Sequence, residues 1–152
     1  MTIYFYASTD DYAEFSNFSS HGFGIDDTYW KTVEHYFQAM KFAGTKYEDK
    51  VRETRSPKEA KKLGRRRDFP LREDWEAVKD EIMYAGVLKK FQTHADIRAL
   101  LISTGDEEIV ENSPFDYYWG CGADGSGKNM LGNILMRVRE ALRADTDHSF
   151  GE

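Results

Sequence analysis

The chain has 152 residues, 40% of them hydrophobic and 14% aromatic, which is enough for one ordinary domain with an apolar core and argues against disorder. A net charge of −6 excludes a generic nucleic-acid coat, whose footprint would be basic, but leaves room for a local basic pocket around one anionic small molecule. The single cysteine, Cys121, excludes an internal disulfide and fits a reducing compartment.

"MTIYFYASTD" shows neither the basic nor the apolar region of a signal peptide, and no apolar run approaches the roughly 20 residues of a membrane span. A cytoplasmic protein without membrane contact is expected. In chain order, "IYFY" (3–6) has strand composition, and "GFGIDDTYW" (22–30) reads as a hairpin turning at Asp26-Asp27. Thr32 caps a helix that starts at Val33 and closes at Gly44. "SPKE" (56–59) is a capping box with proline in the first turn, so a short helix is predicted over 57–63. "RRRDFPLRED" breaks the pattern before Asp74 caps a long helix to about Gln92, with Trp75, Val78, Ile82 and Ala85 on its apolar face. Gly86 inside that helix costs about 1 kcal/mol relative to alanine and points to a close helix contact or a kink. Asp96 opens a further helix ending at Gly105, "EIVE" (108–111) is a short extended piece, and a glycine-rich loop (120–127) precedes a last amphipathic helix over 129–143. The fold class is α+β, predominantly helical, a single domain over 1–144 with a small antiparallel strand component and a frayed tail at 145–152.

The helix "TVEHYFQAMKF" (32–42) is apolar or aromatic nearly all round, yet Glu34, Gln38 and Lys41 fall at i, i+4 and i+7 on one face. A surface stripe held by i,i+4 pairing would explain them. So would the wall of a cleft, because charges on an otherwise enclosed helix are costly unless they serve a site. A carboxylate beside an ammonium in a partly dry pocket suits acid/base or covalent chemistry at a sugar carbon. His35 sits about 100° away and reads as a packing or hydrogen-bonding residue.

"GCGADG" (120–125) and "GADGSGK" (122–128) match nucleotide-binding patterns without their context: no buried strand precedes them, and Asn129 stands where a P-loop needs Ser or Thr. What remains is a loop whose amides, with the next helix N-terminus, could approach an anion, and aromatics Tyr117, Tyr118 and Trp119 that could stack on a base or sugar. "KKLGRRR" (61–67), with Arg72, is the densest positive cluster, either a solvated helix end or a phosphate grip. Four scattered histidines and one cysteine offer no metal-ligand spacing, so neither metal nor cofactor is expected.

"FSNF" (15–18), "TVEHYFQAMKF" (32–42), "LGR" (63–65), "LREDWEAVKDEIM" (71–83), "KF" (90–91), "SPFDYYWG" (113–120) and "GKNMLGNILMRVR" (127–139) stand in the order of the signature of the NADAR superfamily, the YbiA-like proteins, and the chain resembles it from about Tyr4 to Leu142. The resemblance implies a mainly helical α+β fold and an N-glycosidase that splits the bond between a ribose anomeric carbon and an amine or base nitrogen. One branch acts on phosphorylated ribosylamino-pyrimidine intermediates of riboflavin synthesis, another removes ADP-ribose from modified nucleobases; the compact chain is similar to the stand-alone bacterial type, which favours the first. The resemblance carries over Glu34, Lys41 and Asp116 as catalytic residues, with Asn17, Gln38, Arg65, Trp75, Trp119, Gly120 and Asn129 as substrate-binding ones. Gly86 and Lys31 depart from the common pattern, away from the chemistry.

In the mechanism this implies, Glu34 stabilises the developing cation or activates water, or Lys41 attacks the opened sugar as a Schiff base, while Asp116 orients ribose hydroxyls or acts as the acid. Asn17, Arg65 and the glycine loop hold ribose and phosphate, and Trp119 packs on the base. The expected partner is a small ribosyl phosphate. The alternatives are an ADP-ribosyl glycohydrolase acting on modified guanine or nucleic acid, and a non-catalytic sensor of NAD or ADP-ribose.

Overall fold

A computed structural model describes the backbone of residues 1–150 and the side chains of residues 1–145. Its elements are β1 (Ile3–Phe5), a 3₁₀ turn (Ala13–Phe15), β2 (Phe23–Ile25), β3 (Thr28–Trp30), α1 (Val33–Met40), α2 (Lys46–Arg52), α3 (Pro57–Arg65), α4 (Trp75–Thr93), α5 (Ala95–Ser103), β4 (Ile109–Glu111) and α6 (Met130–Phe150). The class is α+β with helix dominant. The chain divides into two compact units, Asn17–Lys90 and Met1–Ser16 with Phe91–Glu152, and the boundary falls inside α4.

In the 17–90 unit the hairpin forms as read. β2 and β3 pair antiparallel, Phe23 with Trp30, and the turn residues Asp26 and Asp27 both have positive φ (50° and 65°), as a two-residue turn matched to strand twist requires. The Thr32 hydroxyl accepts the His35 amide at 3.0 Å and so caps α1. His35 is the packing residue its position suggested: its ring bonds the Thr32 hydroxyl at 2.8 Å and the Thr54 carbonyl at 3.1 Å. α1 lies against α2, α3 and β3. Phe23 and Trp30 meet Tyr36 edge-on, and Phe42, Tyr47 and Phe69 form a second aromatic cluster. Gly86 marks a close contact, since a β-carbon there would stand 2.8 Å from the Tyr36 ring. Helix α2 was not expected. Its signal is Thr45-Lys46-Tyr47-Glu48, a capping box in which Thr45 Oγ1 accepts from Tyr47 N and Glu48 Oε1 accepts from Gly44 N.

In the other unit β1 and β4 pair in parallel, Ile3 beside Ile109 and Phe5 beside Glu111, so the strand component is antiparallel in one pair and parallel in the other. Parallel strands need a long connection, which sequence reading of local turns does not see. α6 packs on β4 and α5, burying Leu131, Ile134, Leu135, Val138 and Leu142. Phe5, Phe15 and Phe91 form an edge-to-face chain. α6 runs past the expected end at 143. The tail predicted to fray ends at residues 151 and 152, which lie outside the described residues, as do the side chains from 146. No described helix is long and apolar enough to cross a membrane.

Candidate active site

Helix α1 carries its polar stripe inward. Glu34 is 7% exposed, Gln38 5% and Lys41, just past the helix end, 7%. The surface-stripe explanation therefore fails. Gln38 Nε2 donates to Glu34 Oε1 at 2.7 Å, while Gln38 Oε1, equally buried, has no partner among the described residues. Lys41 Nζ donates to the Gly64 carbonyl at 3.3 Å and lies 5.8 Å from the ring centroids of both Phe37 and Trp75. Those two rings pack on each other at 5.0 Å, so Trp75 walls the ammonium.

The sequence builds this arrangement through one small residue. Gly64 sits near the C-terminus of α3, where carbonyls lack intrahelical partners, and its carbonyl accepts from Lys41 and, at 2.8 Å, from Arg67 Nη1. A β-carbon at Gly64 would overlap Gln38 Oε1. Glycine here lets α3 close on the stripe. Asn17 is also brought in: its carbonyl accepts the Glu34 amide at 3.1 Å and its Nδ2 lies 3.4 Å from Met83 Sδ. Its Oδ1 is buried without a partner among the described residues.

The electrostatics follow from burial. Desolvation pushes the Glu34 carboxyl above its usual range, opposed by the Gln38 hydrogen bond and the charges of Lys61, Lys41 and Arg65. Desolvation pulls Lys41 down to about 8, aided by Arg67, with Glu34 opposing. An amine in that range is about one-tenth neutral at pH 7, far more than an ordinary lysine, and that fraction can act as a nucleophile. Arg65, exposed at the end of α3, makes no hydrogen bond or ion pair among the described residues.

Asp116, Trp119, Gly120 and Asn129 belong to the other unit and are neighbours there. Asp116 Oδ1 accepts the amides of Tyr118 (2.9 Å) and Trp119 (2.8 Å), which fixes the turn that presents Trp119. A β-carbon at Gly120 would be tightly placed, 3.0 Å from the Asp116 carbonyl oxygen and 3.1 Å from that of Glu111. Asn129 uses both ends of its amide on β4, accepting from Glu111 N at 2.9 Å and donating to the Ile109 carbonyl at 2.9 Å. Its side chain staples β4 to the start of α6.

Most amides of the glycine loop are engaged within the loop itself. The amides of Gly127, Lys128, Asn129, Met130 and Leu131 donate to the carbonyls of Cys121, Tyr117, Gly120, Tyr118 and Trp119, all within 2.7–3.0 Å. Those of Cys121, Gly122, Ala123, Gly125 and Ser126 are engaged within the same region. At the N-terminus of α6 the amides of Met130, Leu131 and Asn133 are thus already bonded to carbonyls, which leaves little for a phosphate.

The NADAR domain family matches residues 4–143. An N-glycosidase of Nostoc punctiforme is 56% identical over 146 residues, covering 94% of each chain. N-glycosidase YbiA of Escherichia coli is 46% identical over 140 residues, covering 92% of this chain and 88% of that one. Riboflavin biosynthesis protein PYRR, chloroplastic, of Zea mays is 41% identical over 92% of this chain and 25% of its own. The NMR structure of Escherichia coli YbiA superposes with a TM-score of 0.88 at 45% identity, covering 95% of this chain and 86% of that one. On its motifs, its full-length match and its fold, the chain belongs to the NADAR family.

Proposed function

We propose that this N-glycosidase hydrolyses the bond between the anomeric carbon of a phosphorylated ribose and the exocyclic amine of a ribosylamino-pyrimidine. Three relatives support the reading, two named N-glycosidases and one named for riboflavin biosynthesis. The observation that carries it is the buried pair of Glu34 and Lys41 on one line of α1, each shifted by desolvation toward its neutral form.

Cleaving an N-riboside builds positive charge on the anomeric carbon and requires a proton on the leaving nitrogen. The neutral Lys41 amine adds to the anomeric carbon of the opened sugar. A protonated Glu34, the form that burial favours, gives its proton to the departing nitrogen, and the carbon–nitrogen bond to the pyrimidine breaks. The product is the free aminopyrimidine and an imine between Lys41 and the sugar. Water adds to that imine, Glu34 recovers a proton from it, and the sugar leaves as the aldehyde while Lys41 returns to the free amine. Net, one water is consumed and one carbon–nitrogen bond is lost. Gln38 holds the Glu34 carboxyl in place, Trp75 walls the amine, Asn17 contacts the sugar, and Arg65 reaches its phosphate. None of the relatives given above is named for ADP-ribosylated nucleic acid.

The test is incubation of the purified protein with a panel of N-ribosides, reading out liberated sugar by mass spectrometry. Release of ribose phosphate from the phosphorylated ribosylamino-pyrimidine is expected. Silence on that compound with cleavage of an ADP-ribosylated guanine would overturn the substrate assignment.

A further inference from the structure

Three of the six cations between residues 61 and 72 are already engaged, and Lys62 is exposed. Arg66 pairs with Asp68 at 2.6 Å, Arg72 with Asp74 at 2.6 Å, and Arg67 donates to the Gly64 and Arg66 carbonyls. Lys61 and Arg65 differ. They stand at i and i+4 on α3, so their side chains share a face, and neither makes a hydrogen bond or ion pair among the described residues.

Their place is next to the α1 stripe. Lys61 is half-buried with its Nζ 5.9 Å from the centre of the Phe18 ring, and Phe18 follows Asn17, whose carbonyl holds the Glu34 amide. One turn further on, Gly64 lies against Gln38. The face of α3 bearing Lys61 and Gly64 therefore runs along α1 from Glu34 towards Lys41. The two charges lower the Glu34 carboxyl and the Lys41 amine, which places them within electrostatic reach of both. A ribose carries its phosphate on the carbon remote from the anomeric one. A grip on α3 thus leaves the anomeric carbon to α1.

We propose that Lys61 and Arg65 together hold the phosphomonoester of the sugar substrate, Arg65 with its planar fork and Lys61 as a point charge. The inference rests on the ribosyl phosphate reading above and adds to it the second cation, Lys61, in place of the occupied glycine loop.

The probes are ribose 5-phosphate and ribose, titrated against isotope-labelled protein by NMR, whose amide spectrum also reports folding. Wild type binds the phosphorylated sugar more tightly, and added salt narrows the gap. Lys61→Gln and Arg65→Gln should each weaken ribose 5-phosphate on the order of tenfold to a hundredfold, the loss of one charge-assisted bond, without weakening ribose. Lys61→Arg should restore most of the affinity. Unchanged binding of ribose 5-phosphate in either glutamine variant, or equal losses for both sugars, overturns the grip. A protein that shows the selective loss yet frees no sugar from the ribosylamino-pyrimidine keeps the grip and loses the substrate reading instead.

Discussion

Along α1, a buried amide oxygen of Gln38 has no partner and a lysine and a glutamate lie enclosed beside it, whereas in the 113–131 loop the amides from Gly127 to Leu131 all reach a carbonyl nearby. Both regions looked functional by composition. An interior polar group left short of partners is costly, and such cost is tolerated where a ligand completes the bonding; a saturated loop has nothing left to offer. On the proposed function, α1 is the region built to react and the loop is one built to hold shape.

The largest effect that sharpens this contrast comes from Glu34→Gln, which keeps size and burial but removes the proton. Turnover should drop by about 10²–10⁴-fold, the usual worth of a positioned acid, with circular dichroism unchanged. Retention of full activity would shift the chemistry off α1.

Next comes Lys41. Borohydride added during turnover should leave a sugar adduct on this residue by mass spectrometry, and none in Lys41→Met. Because its pKa is lowered to about 8, the neutral fraction, and with it the trapping rate, should climb as pH rises through about 8 and level off above it. Trapping that stays flat between pH 7 and 9 would break the assignment. The same shift acts on stability. Between about 8 and 10.5 the unfolded chain binds the proton more tightly than the native state, so this group makes the fold more stable as pH rises across that window.

Gly64→Ala should be felt in both activity and melting temperature, since the added methyl overlaps Gln38 Oε1. Overpacking of this kind costs typically about 1–3 kcal/mol, read by denaturant unfolding. The smallest expected effect on catalysis belongs to Asn129→Ala. It removes both bonds to β4 and should lower stability by about 1–3 kcal/mol, while turnover per folded molecule stays near wild type. A large loss of turnover without a loss of stability would count Asn129 among the substrate contacts.

The sequence revealed most where a local signal has one meaning. Asp26-Asp27 between two apolar-aromatic runs, Thr32 before Val33 and Ser56-Pro57 each specify a turn or a cap from a few neighbouring residues, and each formed as read. The stripe of Glu34, Gln38 and Lys41 was legible from helical period alone, though its burial was not, because that depends on α3 and Trp75 closing over it. Thr45 and Glu48 carried a legible signal for α2 that went unused. The glycine loop misled for a physical reason: glycine spacing shows that amides can approach an anion, not that they are free to. The pairing of β1 with β4 rests on contacts between residues far apart in the chain, Ile3 with Ile109, which no short window contains.

The Gly64 carbonyl has a consequence for the neighbouring helix. It belongs to the last turn of α3, whose partial negative charge favours a cation, so it works against the desolvation that pulls the Lys41 amine down. Fraying of that last turn would therefore release the amine toward its neutral form. The nucleophile of one helix is in this sense held in check by the end of another.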